Sequence, residues 1–224
     1  MARRKNMQRR RVILGNTFTL IRENGLDNVS LQMIADKSEI SKSLLQSYYP
    51  HKSRLINDIL HNLMSTIFHK LSSIEEDTNP YVKMKVFIYT LLELGLRDSG
   101  VSRVLDSMFK DISTLSKWEE ILDNWLRDEG LHGKLGDDQQ VRIGLTFVVA
   151  GSANLYAKRG DLGIIPEQIA DIMVRTFLVA FLNEKPEKIE QMSHEGHELI
   201  KTLDIVSVHA AINGMFEPGK DIFC

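Results

Sequence analysis

The chain has a single cysteine, and it is the final residue, Cys224. An internal disulfide is therefore impossible, and the fold is expected to rest on apolar burial in a reducing compartment. No stretch reaches the roughly 18–20 successive apolar residues that cross a bilayer. Residues 1–11 are basic, but the apolar run that follows the charged start of a secretory signal is missing. A cytoplasmic location and no membrane partner are expected. Proline is scarce: Pro50, Pro80, Pro166 and Pro186 stand where a helix would begin or a loop would lie, and Pro218 falls in the tail. Period-two alternation is also scarce, which argues against sheet. Neither a glycine-rich phosphate loop nor a nucleophile elbow is present. Asp137-Asp138 and Glu75-Glu76-Asp77 read as surface charge, so no enzymatic activity and no cofactor are expected.

What is present is helix. Of 224 residues, 43% are hydrophobic, and they recur at three- and four-residue spacing. Val12, Ile13, Thr17, Leu20 and Ile21 share one face of a first helix, which Asn24-Gly25 ends. Ser30 reads as the N-cap of a short second helix, and Ser41 as that of a third. A long fourth helix starts at Lys52. Further helices are expected at about 80–98, 101–113, 115–130, 137–159, 166–183 and 187–204, with a glycine-bearing turn at 130–136 and an irregular tail.

The net charge of −2 conceals a division. Residues 1–55 hold 11 Lys+Arg against 4 Asp+Glu, and the remainder holds 17 against 26. A basic head on an acidic body fits contact with nucleic acid at one end. A solvated, frayed tail explains the cluster of Arg3, Arg4, Lys5, Arg9, Arg10 and Arg11 equally well.

Two short helices joined by a tight turn and braced by a third form a helix-turn-helix, whose second helix enters the major groove. Lys42, Ser43, Gln46 and Ser47 are expected on the outer side of that helix, where such groups read base edges, and Leu44 can meet a thymine methyl. Leu45 must face inward. From Ile13 to Leu55 the chain resembles the TetR/AcrR family. The resemblance rests on Ile13-Leu14, Leu20-Ile21, Gly25, Ser30, Ile34-Ala35, Ile40-Ser41, Leu45, Tyr48-Tyr49, Lys52 and Leu55. It implies that Ser30 and Lys52, each at a helix start, contact phosphates, and helix N-termini do favour anions. Tyr48 can donate to a phosphate or wedge between helices, and Tyr49 is expected to pack. The sequence departs from the family at Glu39, where a turn glycine is usual, and at Ser43. Gln46 stands where the family has tyrosine, and Asn16-Thr17 where it has alanines.

The expected fold is all-α. Residues 1–53 form a three-helix DNA-binding domain, 54–204 a helical ligand-binding and dimerisation domain, and 205–224 a tail of unknown role. The resemblance implies a homodimer on a pseudo-palindromic operator. It implies that the last two long helices form a four-helix dimer bundle, with Gly144, Phe147, Val148, Gly151, Leu155, Ile169, Met173 and Phe177 as candidate contacts, residues that suit the core of the single chain as well. It also implies a small apolar or amphipathic ligand among Phe87, Leu91, Leu105, Met108, Phe109, Trp118, Leu122 and Trp125, residue types that suit an adaptable pocket and an ordinary core alike. The expected role is a ligand-responsive repressor, with the fourth helix as its lever. An activator or a regulator that binds a partner protein is the alternative. A metal sensor using His194 and His197, with His209 and Cys224, is a further one; no metal site is assigned.

Overall fold

In the computed structural model, residues 2–71, 77–128 and 138–219 are described, with side chains from residue 7 onward. Every regular element among them is a helix. In chain order they are α1 (Ala2–Asn24), α2 (Leu31–Lys37), α3 (Lys42–Tyr48), α4 (Lys52–Leu71), α5 (Pro80–Arg97) and α6 (Ser99–Met108). Then come α7 (Ile112–Asp128), α8 (Asp138–Ala157), the short α9 (Arg159–Leu162), α10 (Pro166–Thr176), α11 (Pro186–Thr202) and α12 (Ile205–Asn213). A π-helical turn, Phe177–Phe181, prolongs α10. The fold class is all-α, as expected. No helix among the described residues is long and apolar enough to cross a membrane. The expected turn at 130–136 lies outside the described residues.

Local chemistry sets several helix ends. Gly25 adopts φ 78 and its N–H bonds the Ile21 carbonyl at 2.8 Å, closing α1. Ser30 Oγ accepts the Met33 N–H and Ser41 Oγ accepts the Leu44 N–H, each at 3.2 Å. Asp98 performs the same task before α6, accepting from Gly100 N at 2.7 Å and Val101 N at 3.0 Å. Asp111 caps α7 through Thr114 N at 2.8 Å. The break expected near residue 114 therefore falls at 109–111, where an aspartate can satisfy free N–H groups.

The chain divides into two compact units, and the division differs from the one expected. The head unit comprises Met1–Lys70, Leu94–Met108 and Val206–Cys224, and the second comprises Leu71–Glu93 and Phe109–Ile205. Nearly all of α4 belongs to the head unit, where Leu55, Ile59, Leu60, Leu63, Met64 and Ile67 are fully buried. The start of α4 is therefore no domain boundary. Within the head unit α6 packs on α1.

The tail is not irregular either. Val208, Ile212 and Met215 recur at helical spacing and are buried, so the short α12 is held by packing rather than by propensity. Beyond it, the Phe216 ring meets Phe18 edge-on at 5.9 Å. In the second unit, α8 packs against α7, α10 and the π-helical turn, and α11 against α10.

Candidate functional site

The head presents α3 with its polar side outward. Leu45 and Tyr49 have no exposed surface, whereas Lys42, Ser43, Gln46 and Ser47 are exposed and Leu44 is half-buried. The orientation follows from the spacing: Leu45 and Tyr49 lie four residues apart on the apolar side. Ser43 Oγ lies 3.0 Å from Ser41 Oγ, and Ser47 Oγ donates to the Leu44 carbonyl at 2.7 Å. That bond uses the only proton of Ser47, which leaves its hydroxyl free chiefly to accept. Lys42 and Gln46 keep donors directed to solvent.

The expected phosphate-binding residues differ in readiness. Ser30 is exposed at the start of α2, with its oxygen already accepting from Met33. Tyr48 is half-buried; Tyr49 is fully buried and its hydroxyl donates to Asp58 Oδ2 at 3.0 Å. Lys52 is half-buried, and its ammonium donates to the Leu26 carbonyl at 2.5 Å. Partial burial holds its pKa below the ordinary lysine value, against the pull of Asp27. Lys52 thus ties the start of α4 to the loop after α1 and keeps two N–H donors for an anion. Arg54, in the same first turn, is exposed. Sequence reasoning passed over it, although a second cation beside Lys52 at a helix start was legible.

The turn before α3 carries the departure at Glu39. Its φ is 54, the left-handed region that a glycine would occupy without strain. The Ile40 N–H bonds the Ala35 carbonyl at 3.1 Å, and Asn16 Nδ2 donates to the Lys37 carbonyl at 3.0 Å. The turn keeps the shape of a glycine turn because neighbouring bonds impose it.

The candidate ligand residues fall in different units. Phe87, Leu91, Trp118 and Leu122 are buried, and Phe109 and Trp125 half-buried, in the second unit. Leu105 and Met108 are buried in the head unit. Phe109 meets Trp118 edge-on at 5.0 Å and Tyr156 at 5.4 Å. The indole N–H of Trp118 is buried with no acceptor among the described residues. Tyr156 was not among the expected residues; an aromatic so far along the chain carries no local signal of this meeting.

Of the candidate dimer contacts, Gly144, Val148, Ile169, Met173 and Phe177 are buried within the second unit. Gly144 lies under the rings of Phe177 and Phe181, which explains both the small residue and the burial. Leu155 is half-buried; Phe147 and Gly151 are exposed. The outer surface of α8 carries Ile143, 54% exposed, and Phe147, 62% exposed. Beside it Ile172 on α10 and Val179 in the π-helical turn are exposed, and Phe147 and Phe181 stand 5.7 Å apart. Phe147, one of the residues assigned to the dimer, thus lies within this exposed apolar group.

The described histidines of the metal reading have separate partners. His197 Nδ1 lies 2.5 Å from Glu167 Oε1, and His209, in the head unit, bonds Asp98. No group of three histidine, cysteine or acidic residues that could hold a metal occurs among the described residues; Cys224 lies outside them.

No family model matches the chain. It is 24% identical over 99 residues to the nucleoid occlusion factor SlmA of Mannheimia succiniciproducens, covering 44% of this chain and 46% of that protein. It is 23% identical over 99 residues to SlmA of Pasteurella multocida, covering 44% and 50%. The chain thus spans about half the length of the curated relatives it matches. Its fold is that of RolR. With resorcinol bound, RolR superposes with a TM-score of 0.58 at 18% identity, over 85% of this chain and 95% of that one. Without ligand the TM-score is 0.59 at 17% identity, over 82% and 95%. Together with the residues of the head, these likenesses agree with the resemblance to the TetR/AcrR family.

Proposed function

We propose that this protein is a sequence-specific DNA-binding regulator that acts as a homodimer and responds to a small ligand. The single observation that carries the proposal is the outward polar side of α3, with Leu45 and Tyr49 buried behind it. Lys42 and Gln46 supply base-reading donors, with Ser43, Leu44 and Ser47 beside them. Ser30, Tyr48, Lys52 and Arg54 hold the backbone around them. Two heads set about 34–36 Å apart, or a multiple of that, read two half-sites of a pseudo-palindrome. The apolar seam of Ile143, Phe147, Ile172 and Val179 supports pairing through a second copy, because exposed apolar patches of this kind mark interfaces.

A ligand acts by population shift. It binds better to a conformation whose heads are wrongly spaced, with a coupling of about 1–3 kcal/mol. RolR has been crystallised with resorcinol, a small aromatic diol. The buried Trp118 N–H, set among Phe109 and Tyr156, suits a hydroxyl or carbonyl on such a compound.

The alternative is an activator or a regulator that binds a partner protein; the curated relatives are named nucleoid occlusion factors. Selection of bound duplex from a random pool tests the common core. A shared pseudo-palindrome is expected. Gln46→Ala should change the preferred sequence, and Lys52→Ala should weaken all sequences alike. Failure to retain any duplex at low salt would end the proposal.

A further inference from the structure

The basic run at the start of the chain is no frayed tail, because α1 begins at Ala2 and is continuous through it. Its first turn has no acidic residue, and the first acid along the helix is Glu23. Cations near the positive end of a helix dipole are unfavourable, so the basic run adds nothing to the start of α1. Helix stability therefore does not account for them.

Their placement does. Gln8, Arg9 and Val12 of α1 line one groove of about 470 Å³ with Ser38, Glu39 and Ile40, the turn that leads into α3. Arg9 is exposed there. One residue on, the Arg10 guanidinium lies 5.7 Å from the centre of the Tyr49 ring, directly after α3. Tyr49 is in turn fixed to Asp58. Two successive arginines of α1 thus flank the two ends of the helix proposed to read bases.

We propose that the N-terminal part of α1 is a second DNA-contacting element, in which Arg9 grips the sugar–phosphate backbone beside the entry to α3. Arg10, stacked on Tyr49, sets the direction of the helix that carries Arg9. This inference rests on the DNA-binding proposal.

The test measures duplex affinity over a range of salt concentrations for the full chain, Arg9→Ala and Arg9→Lys, on a selected duplex and on a random one. Each lost phosphate contact lowers the salt slope by about 0.9. Arg9→Ala should lose that amount equally on both duplexes, with an unchanged melting temperature, and Arg9→Lys should restore it. An Arg9→Ala protein with the slope of the unmodified chain overturns the inference and leaves the DNA-binding proposal standing. An unmodified chain that binds neither duplex overturns both.

Discussion

Asn16 Nδ2 donates to Ser38 Oγ at 3.2 Å, so the first helix of the head holds the turn that precedes the recognition helix. The same amide reaches the Lys37 carbonyl. Both partners lie within two residues of Glu39, the residue held at φ 54. The two departures from the family pattern, an asparagine for alanine and a glutamate for glycine, belong to one device. The asparagine holds in place a turn that the glutamate strains.

Replacing the strained residue should therefore stabilise the head. A non-glycine residue in this region costs roughly 1–2 kcal/mol, and glycine returns about 0.4–1 kcal/mol through the unfolded chain. Glu39→Gly should gain up to about 1 kcal/mol, a rise of about 2–4 °C in Tm for a domain of this size. It also removes a negative charge beside the proposed DNA face, so duplex affinity should rise at low salt. A lower Tm for Glu39→Gly would show that the carboxylate makes contacts that outweigh the strain.

That turn also marks where the sequence was legible. Its two serine caps, the inward Leu45 and the glycine after α1 are local signals, and each lies where spacing put it. The helices of the body were legible for the same reason. What could not be read was which long-range partner each apolar side meets. On α8 nearly every face is apolar, so spacing alone does not separate the buried Val148 from Phe147, which stays 62% exposed. The role of the tail depended on Asp98, Arg22 and His209 meeting across more than a hundred residues of sequence. No local pattern announces such a meeting.

That cluster gives a pH prediction. Burial opposes ionisation of Asp98, but the bonds from His209, from the Val101 and Gly100 N–H groups and from Arg22 together hold its pKa below the usual carboxylate value. A depressed carboxylate contributes stability at pH above its unfolded pKa of about 3.9, and loses it as pH falls through the folded value. Asp98→Asn should cost roughly 1.5–3 kcal/mol at neutral pH, because charge-assisted bonds to α1 and α12 are lost together. Its Tm should also change less than that of the unmodified chain as pH falls below about 4. Parallel Tm curves for the two proteins through the acid range would remove Asp98 from this role.

The exposed seam on α8 and α10 predicts the state of assembly. Phe147→Glu puts a charge into the centre of the proposed contact at a residue 62% exposed in the single chain. Burying an unpaired carboxylate costs several kcal/mol, enough to dissociate a dimer of ordinary affinity. Sedimentation should find a dimer for the unmodified chain and a monomer of unchanged helix content for Phe147→Glu. A variant that still sediments as a dimer would place the interface elsewhere.

Two glycines of α8 separate internal packing from pairing. A Cβ added at Gly144 would stand 2.8 Å from atoms of both the Phe177 and Phe181 rings, while one added at Gly151 meets nothing within 4 Å in the single chain. Gly144→Ala must displace two aromatic rings and should cost roughly 1–3 kcal/mol. In isolation Gly151→Ala should stabilise the helix by about 0.8–1 kcal/mol, since alanine is the better helix former. If a second copy lies close against α8 at Gly151, the added methyl should instead weaken the dimer while leaving the monomer more stable. Urea unfolding of both variants in the Phe147→Glu background gives the monomer values, and sedimentation without it gives the effect on pairing. A Gly144→Ala protein as stable as the unmodified chain would mean that the aromatic layer yields easily, and the packing described for α8 would need revision.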